Sequence, residues 1–330
     1  MSIRNLELLF KPKSVALIGA SKRDASVGSV LARNLCNGGF TGTVMLVNPK
    51  QWNIEGIRSY PSVASLPTVP DLAIIATPPS TVPGIIAEVG EYGTKAVVVI
   101  TAGFGEVIHG QGLQQSLTDA AAPYGIRIIG PNCLGILAPN IGLNASFAHF
   151  TPTSGKLAFV AQSGAIVTSV MDWAQARGIG FSHLVSLGDM ADVDFGDMLD
   201  YLANDWGTRA ILLYIEAVTN ARKFMSAARA AARMKPVIVV KAGRHAEGAR
   251  AVASHTGSLA GEDGVYDAVF RRAGMLRVFT LEELFDAVET LAMTRTPKGK
   301  RLAILSNGGG IGVLATDELI GLGGQLAQLS

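Results

Sequence analysis

At 330 residues, with 48% apolar and 16% charged, the chain is too long for one ordinary domain and too apolar for a disordered or nucleic-acid-coating protein. A net charge of +2 leaves no broad basic face for nucleic acid or anionic lipid, so anions must be recognised locally. The start carries scattered charges without a long apolar run, and runs such as 96–102 fall far short of the ~20 apolar residues of a membrane span, which together point to a cytoplasmic protein with no membrane contact.

Short, nearly continuous apolar runs at Ser14–Ile18, Val44–Val47, Leu72–Ala76, Ala96–Thr101 and Arg127–Ile129 read as parallel strands covered on both faces. Amphipathic stretches at Ser29–Gly38, Pro83–Tyr92 and Gln111–Tyr124 lie between them, and this βαβ alternation predicts an α/β, doubly wound, Rossmann-like sheet over residues 1–143. Two cysteines, Cys36 and Cys133, have neither metal-site spacing nor the number for a disulfide framework, and no transition metal is implied.

The pattern then restarts. Strands are predicted at Lys156–Val160, His183–Ser186, Ala210–Ile215 and Val237–Lys241, with helices over Ile166–Arg177, Asp194–Asn204 and Ala221–Met234. This second α/β unit occupies 144–296. A third, 297–330, offers one strand at Arg301–Leu305 and one helix through Ile320, and a lone strand–helix pair cannot bury its own apolar faces. The expectation is a domain cut from a longer protein.

The first strand runs into Gly19-Ala20-Ser21 and then a helix, a turn whose free amides and helix dipole suit an anion. The spacing G-x-G-x-x-G is absent, and the second strand ends in Asn48-Pro49-Lys50 where an NAD site wants a carboxylate for the ribose. Lysine there suits an extra phosphate, as on NADP or the 3′-phosphate of CoA. Further loops follow successive strands at Thr77-Pro78-Pro79-Ser80, Thr101–Glu106 and Gly130–Gly135, where ligands of open α/β sheets bind. Any one of them is adequately explained as glycine and proline punctuation; together they predict one crevice. Gln162-Ser163-Gly164-Ala165 and Ser306-Asn307-Gly308-Gly309-Gly310 are two more small-residue turns opening helices, and two such N-termini suit a dianionic phosphate, though ordinary connections that use glycine for close packing would look the same.

His255 lies in Ala253–Gly261, a stretch rich in small residues that reads as a mobile loop, where an imidazole has little packing reason to be, although a lone loop histidine is more often incidental than nucleophilic. His109, His149, His183 and His245 show no comparable context and read as surface or packing residues. Glu216 ends an apolar strand, which predicts a carboxylate exposed at the sheet's carboxyl edge, either able to orient an imidazole or simply a solvated loop acid.

The stretches KPKSVALIGAS, GPNCLGI, FVAQSGA, LLYIE, VVKAGR, SHTGSLAG and ILSNGGG, in this order, resemble the acyl-CoA synthetase (NDP-forming) family, related to the succinyl-CoA synthetase α subunit. A nearer likeness, carried by GLNASFAHF, MDWAQARGIGFS and LDYLANDWGT, is to the synthetase-like region of bacterial protein lysine acetyltransferases, which precedes a GNAT domain. In that subfamily the histidine is sometimes missing; here it is present. The resemblance implies a Rossmann-like CoA-binding domain followed by flavodoxin-like ligase domains. It places Gly19, Ser21, Lys50, Pro78, Gly103, Glu106 and Asn132 in the loops that hold coenzyme A. It matches His255 to the phosphohistidine, Glu216 to its supporting acid, and Ser163, Gly164, Asn307, Gly308 and Gly309 to the phosphate turns. The implied reaction interconverts acid, CoA and ATP with acyl-CoA, ADP and phosphate. Its nucleotide step uses Mg²⁺ with ATP or ADP and needs an ATP-grasp domain or subunit that these residues do not supply. An oligomer is expected, since shared phosphate sites in the family lie at subunit contacts. The alternative expectation is an acyl-CoA-sensing module fused to a GNAT domain.

Overall fold

The first βαβ alternation forms, in chain order, α1 (Glu7–Phe10), β1 (Ser14–Ile18), α2 (Val27–Asn37), β2 (Thr43–Val47), β3 (Asn53–Ile54), β4 (Ile57–Tyr60), β5 (Leu72–Ile75), α3 (Val82–Tyr92), β6 (Ala96–Val99), α4 (Ile108–Ala121) and β7 (Arg127–Ile129). The structure is a computed structural model that describes residues 3–104, 108–256, 261–293 and 299–328, with backbone alone at 108–111, 254–256 and 292–293. The sheet order is β3-β4-β2-β1-β5-β6-β7, parallel except at β3–β4. Its central strands are buried throughout, as the unbroken apolar runs require.

The chain then makes a hairpin, β8 (Gly135–Ala138) and β9 (Leu143–Ser146), before β10 (Ser154–Ala161), α5 (Gly164–Gln175), β11 (Phe181–Ser186), α6 (Phe195–Asn204), β12 (Ala210–Ile215), α7 (Ala221–Met234), β13 (Val237–Lys241), α8 (Ala246–Thr256), α9 (Asp263–Ala273), β14 (Leu276–Val278) and α10 (Leu281–Met293). These strands order as β14-β13-β12-β10-β11-β8-β9, and the hairpin joins antiparallel to β11. The α/β, doubly wound expectation therefore describes both sheets, and the hairpin following β7 belongs to the second.

An inner apolar cluster joins the sheets: Val15, Leu17 and Ile74 of the first share it with Val160, Val185 and Leu213 of the second, and with Phe224 of α7. The outer face of the first sheet packs on Val82, Ile86 and Val89 of α3, and that of the second on Val167 and Val170 of α5 and Leu284 and Val288 of α10. These elements make one compact unit, Met1–Ala292. A second unit, Met293–Ser330, contains β15 (Arg301–Leu302), α11 (Gly309–Gly321) and β16 (Gln325–Leu326). The strand expected at Arg301–Leu305 is shorter than its apolar run, and a second strand, β16, pairs parallel with it.

Candidate functional site

The first sheet changes direction at β1, whose neighbours β2 and β5 are reached from opposite sides, and ligands of such sheets collect at this switch point. Gly19 follows β1 there; a side chain would meet the Ala76 carbonyl oxygen at 2.5 Å, so only glycine lets the turn lie against β5. Ser21 accepts a hydrogen bond from the Arg23 amide (3.0 Å). Asn48 donates to the Ala20 carbonyl (2.7 Å) and accepts from the Lys50 amide (2.7 Å), and Lys50 is exposed. The Pro78 carbonyl accepts from Thr81 Oγ1, and Thr101 Oγ1 donates to the Thr77 carbonyl (both 2.7 Å). Gly103 follows β6 with a φ of 95°. Asn132 donates its amide to the Thr101 carbonyl (2.9 Å) and its Nδ2 to Asp189 Oδ1 (3.1 Å). Glu106 lies outside the described residues.

The second sheet has its own switch point, between β10 and β12. Gln162 follows β10 there, 7% exposed, and its Oε1 accepts from both the Glu216 and Ala217 amides at 2.7 Å. Glu216 is 4% exposed, which corrects the expectation of an exposed acid. Gln162 and the ammonium of Lys241 supply the polar surroundings that make burial of this strand end tolerable, and neither is adjacent to it in sequence. Burial pushes the Lys241 ammonium below its usual range, against the pull of Asp263 and Glu216. Ser163 is the cap residue of α5 and makes no side-chain capping bond. At Gly164 a Cβ would stand 2.9 Å from Leu134 Cβ, so glycine brings the helix N-terminus against the loop after β7.

Between these two switch points lies a cleft of about 410 Å³. Ala76, Thr77, Thr101, Ala102 and Asn132–Leu134 line it from the first sheet's loops, and Gly164 from the second sheet; Val27, Ile100 and Phe147 complete the wall. Of the expected site residues, Asn132 and Gly164 thus meet in one cleft, and Gly19, Pro78 and Gly103 adjoin its lining. Ser21, Lys50, Ser163 and Glu216 are not among the lining residues. Cys133 is in the wall, but burial pushes its thiol up to about 12, and it donates to the Val99 carbonyl at 3.2 Å. It stays a thiol at neutral pH and is no nucleophile.

His255 falls in the last turn of α8, which corrects the expectation of a loop there: the alanines of 246–253 are strong helix formers and extend the helix through it. Its side chain lies outside the described residues. Asn307, Gly308 and Gly309 belong to the second unit, where Gly308 caps α11 and Ser306 Oγ accepts from the Gly308 amide (3.1 Å). Gln162 is expected only as part of the turn before α5, without a role of its own, and Asp189 is not expected at all. A polar side chain ending an apolar strand was a usable signal for Gln162; nothing in the sequence marks Asp189.

Residues 13–139 match a family described as a CoA binding domain, and residues 154–291 one described as a succinyl-CoA ligase like flavodoxin domain. The α subunit of ADP-forming acetate–CoA ligase I from Pyrococcus furiosus is 43% identical over 318 residues, an alignment covering 95% of this chain and 69% of that subunit. This chain belongs to the ADP-forming acyl-CoA synthetase family. Another member, ADP-forming acetate–CoA ligase I from Archaeoglobus fulgidus, is 45% identical over 326 residues; the alignment covers 98% of this chain but 47% of that protein, so the chain spans about half of it. The solved synthetase of this family from Ca. Korarchaeum cryptofilum, an acetyl-coenzyme A synthetase in complex with phosphate and ADP, superposes with a TM-score of 0.93 at 40% identity, covering 99% of this chain and 71% of that one. The synthetase relatives named here are acid–CoA ligases, and the nearer likeness to lysine acetyltransferases finds no support among them. No described helix is long and apolar enough to cross a membrane.

Proposed function

We propose that this chain is the CoA-binding, α-type part of an ADP-forming acid–CoA ligase. The cleft carries the reading, because loops after the strands of the first sheet and the N-terminus of α5 line one cavity. Gly19, Ser21, Lys50, Pro78, Gly103, Glu106 and Asn132 hold coenzyme A. Ser163 and Gly164 are assigned to phosphate binding at the N-terminus of α5, and Asn307, Gly308 and Gly309 to a phosphate turn at the N-terminus of α11. Phosphate attacks the thioester carbonyl, the C–S bond breaks, and free CoA leaves an acyl phosphate. The His255 imidazole then takes the phosphoryl group and releases the acid, with Glu216 supporting the charged phosphoimidazole. ADP receives the phosphoryl group in a last step that regenerates His255, assigned to an ATP-grasp domain or partner subunit with Mg²⁺. The P. furiosus relative, named as an α subunit, supports such a partner, and the ligase relatives favour catalysis over the sensing reading.

The test incubates the chain with acetyl-CoA and radiolabelled phosphate beside His255→Ala. Acid-labile, base-stable label on the wild type alone is the expected result. No label on a chain that still binds CoA calorimetrically overturns the phosphohistidine step.

A further inference from the structure

Two large apolar side chains in the wall of the cleft stay open to water, Val27 at 41% and Phe147 at 38% exposure. They have different neighbours. Val27 opens α2, and the next residue, Gly28, comes so close to the Gly19 turn that a side chain on it would meet the Gly19 carbonyl oxygen at 2.1 Å. Phe147 donates its amide to the Leu134 carbonyl at 3.2 Å, and Leu134 abuts Gly164 at the N-terminus of α5. Val27 therefore belongs to the coenzyme side of the cleft and Phe147 to the phosphate side. Phosphate can reach a thioester carbonyl only if the acyl group lies on that phosphate side, next to Phe147.

The space is small. A volume of about 410 Å³ sits near the lower end of ligand pockets, which run from about 300 to 1,000 Å³, and here it must take the thiol end of coenzyme A, phosphate and the acyl chain together. None of the described lining residues is charged, so a second carboxylate on the acid would find no partner among them. Resting on the proposed function, we infer that Phe147 is a specificity-determining residue: its ring covers the acyl chain and sets the upper size of the acid accepted.

Calorimetric affinities of the full chain for acetyl-CoA and phenylacetyl-CoA test this in the wild type, Phe147→Ala, Phe147→Leu and Val27→Ala. Removing several ring carbons from the wall should raise the phenylacetyl-CoA to acetyl-CoA affinity ratio about 10-fold or more in Phe147→Ala, since a single methylene is worth about 10- to 200-fold in discrimination. Phe147→Leu should fall between, and it carries the test alone if the alanine variant does not fold. Val27→Ala should weaken both ligands alike and leave the ratio near the wild-type value. An unchanged ratio in folded Phe147 variants overturns the inference while the proposed function stands. Failure of the wild type to bind any CoA species overturns both.

Discussion

His183 is buried at the start of the second sheet, edge-on to the ring of Phe10 with centroids 5.1 Å apart, and its Nδ1 is 3.3 Å from Thr208 Oγ1. Burial lowers its pKa from 6.5 to about 4; Asp205, 3.8 Å away, opposes this, and Lys11 and Lys235 add to it. An unfolded chain takes up this proton at higher pH than the folded one, so the stability from burying the neutral ring is complete above about pH 6.5 and is lost as pH falls toward 4. The difference is on the order of 3 kcal/mol. Melting temperatures at pH 5.0 and 7.0 should therefore differ less in His183→Gln than in the wild type; an equal difference in both would remove this histidine from the acid limb. The sequence shows His183 only as one of several histidines without a motif, because the atoms that desolvate it come from α1 and α6. Glu216 is similar: its place at a strand end is legible, while its burial depends on Gln162 and Lys241.

Among the elements, residues 187–193 decide how the two switch points meet. Their amides donate in turn to Ala161 and Gln162 of the second sheet and to Pro131, Gly130 and Ile128 of the first, at 2.8–3.3 Å. At Gly188, with φ +58°, an added Cβ would lie 2.1 Å from the Pro131 carbonyl oxygen and 2.6 Å from that of Asn132. Gly178, after α5, has a similar φ of +65° with no atom within 4 Å of that position. Gly178→Ala should then cost only the conformational strain, about 1–2 kcal/mol. Gly188→Ala should cost more and also weaken CoA binding several-fold by displacing Asn132. Calorimetry on both variants checks this, and equal CoA affinities would show that the segment does not position the CoA loop. Strands and helices with sustained periodicity are legible in the sequence. This segment is not, since all but one of its backbone hydrogen bonds go to residues 26 to 65 positions away.

Across the whole of the first unit, charge as well as apolar area ties one sheet to the other. Arg127 at the start of β7 reaches Asp192 at 2.8 Å and Asp197 of α6 at 3.1 Å, and Lys223 of α7 closes on Asp197 at 2.7 Å. The Arg127 and Asp197 side chains are 13% and 4% exposed, so removing the guanidinium leaves carboxylates without their full complement. Breaking such a pair costs about 3–5 kcal/mol, and Lys223 keeps Arg127→Met near the lower figure. Arg271→Met, which removes an exposed i,i+4 pair with Asp267, should cost under about 1 kcal/mol. Urea unfolding of the two variants separates these outcomes, and similar midpoints would mean that the buried network contributes nothing to joining the sheets.

Local sequence decides a good deal here. Apolar runs set the strands, small-residue turns mark their carboxyl ends, and the ordered motifs carry the family, because each depends on side chains within one turn or one strand. Tertiary structure alone decides that the hairpin at Gly135–Ser146 joins the second sheet, that Glu216 is buried, and that Asn132 and Gly164 face one cleft walled by Val27 and Phe147. Those outcomes depend on which distant strands come side by side, and that is settled by the apolar core the two sheets share rather than by any residue's own neighbours in the chain.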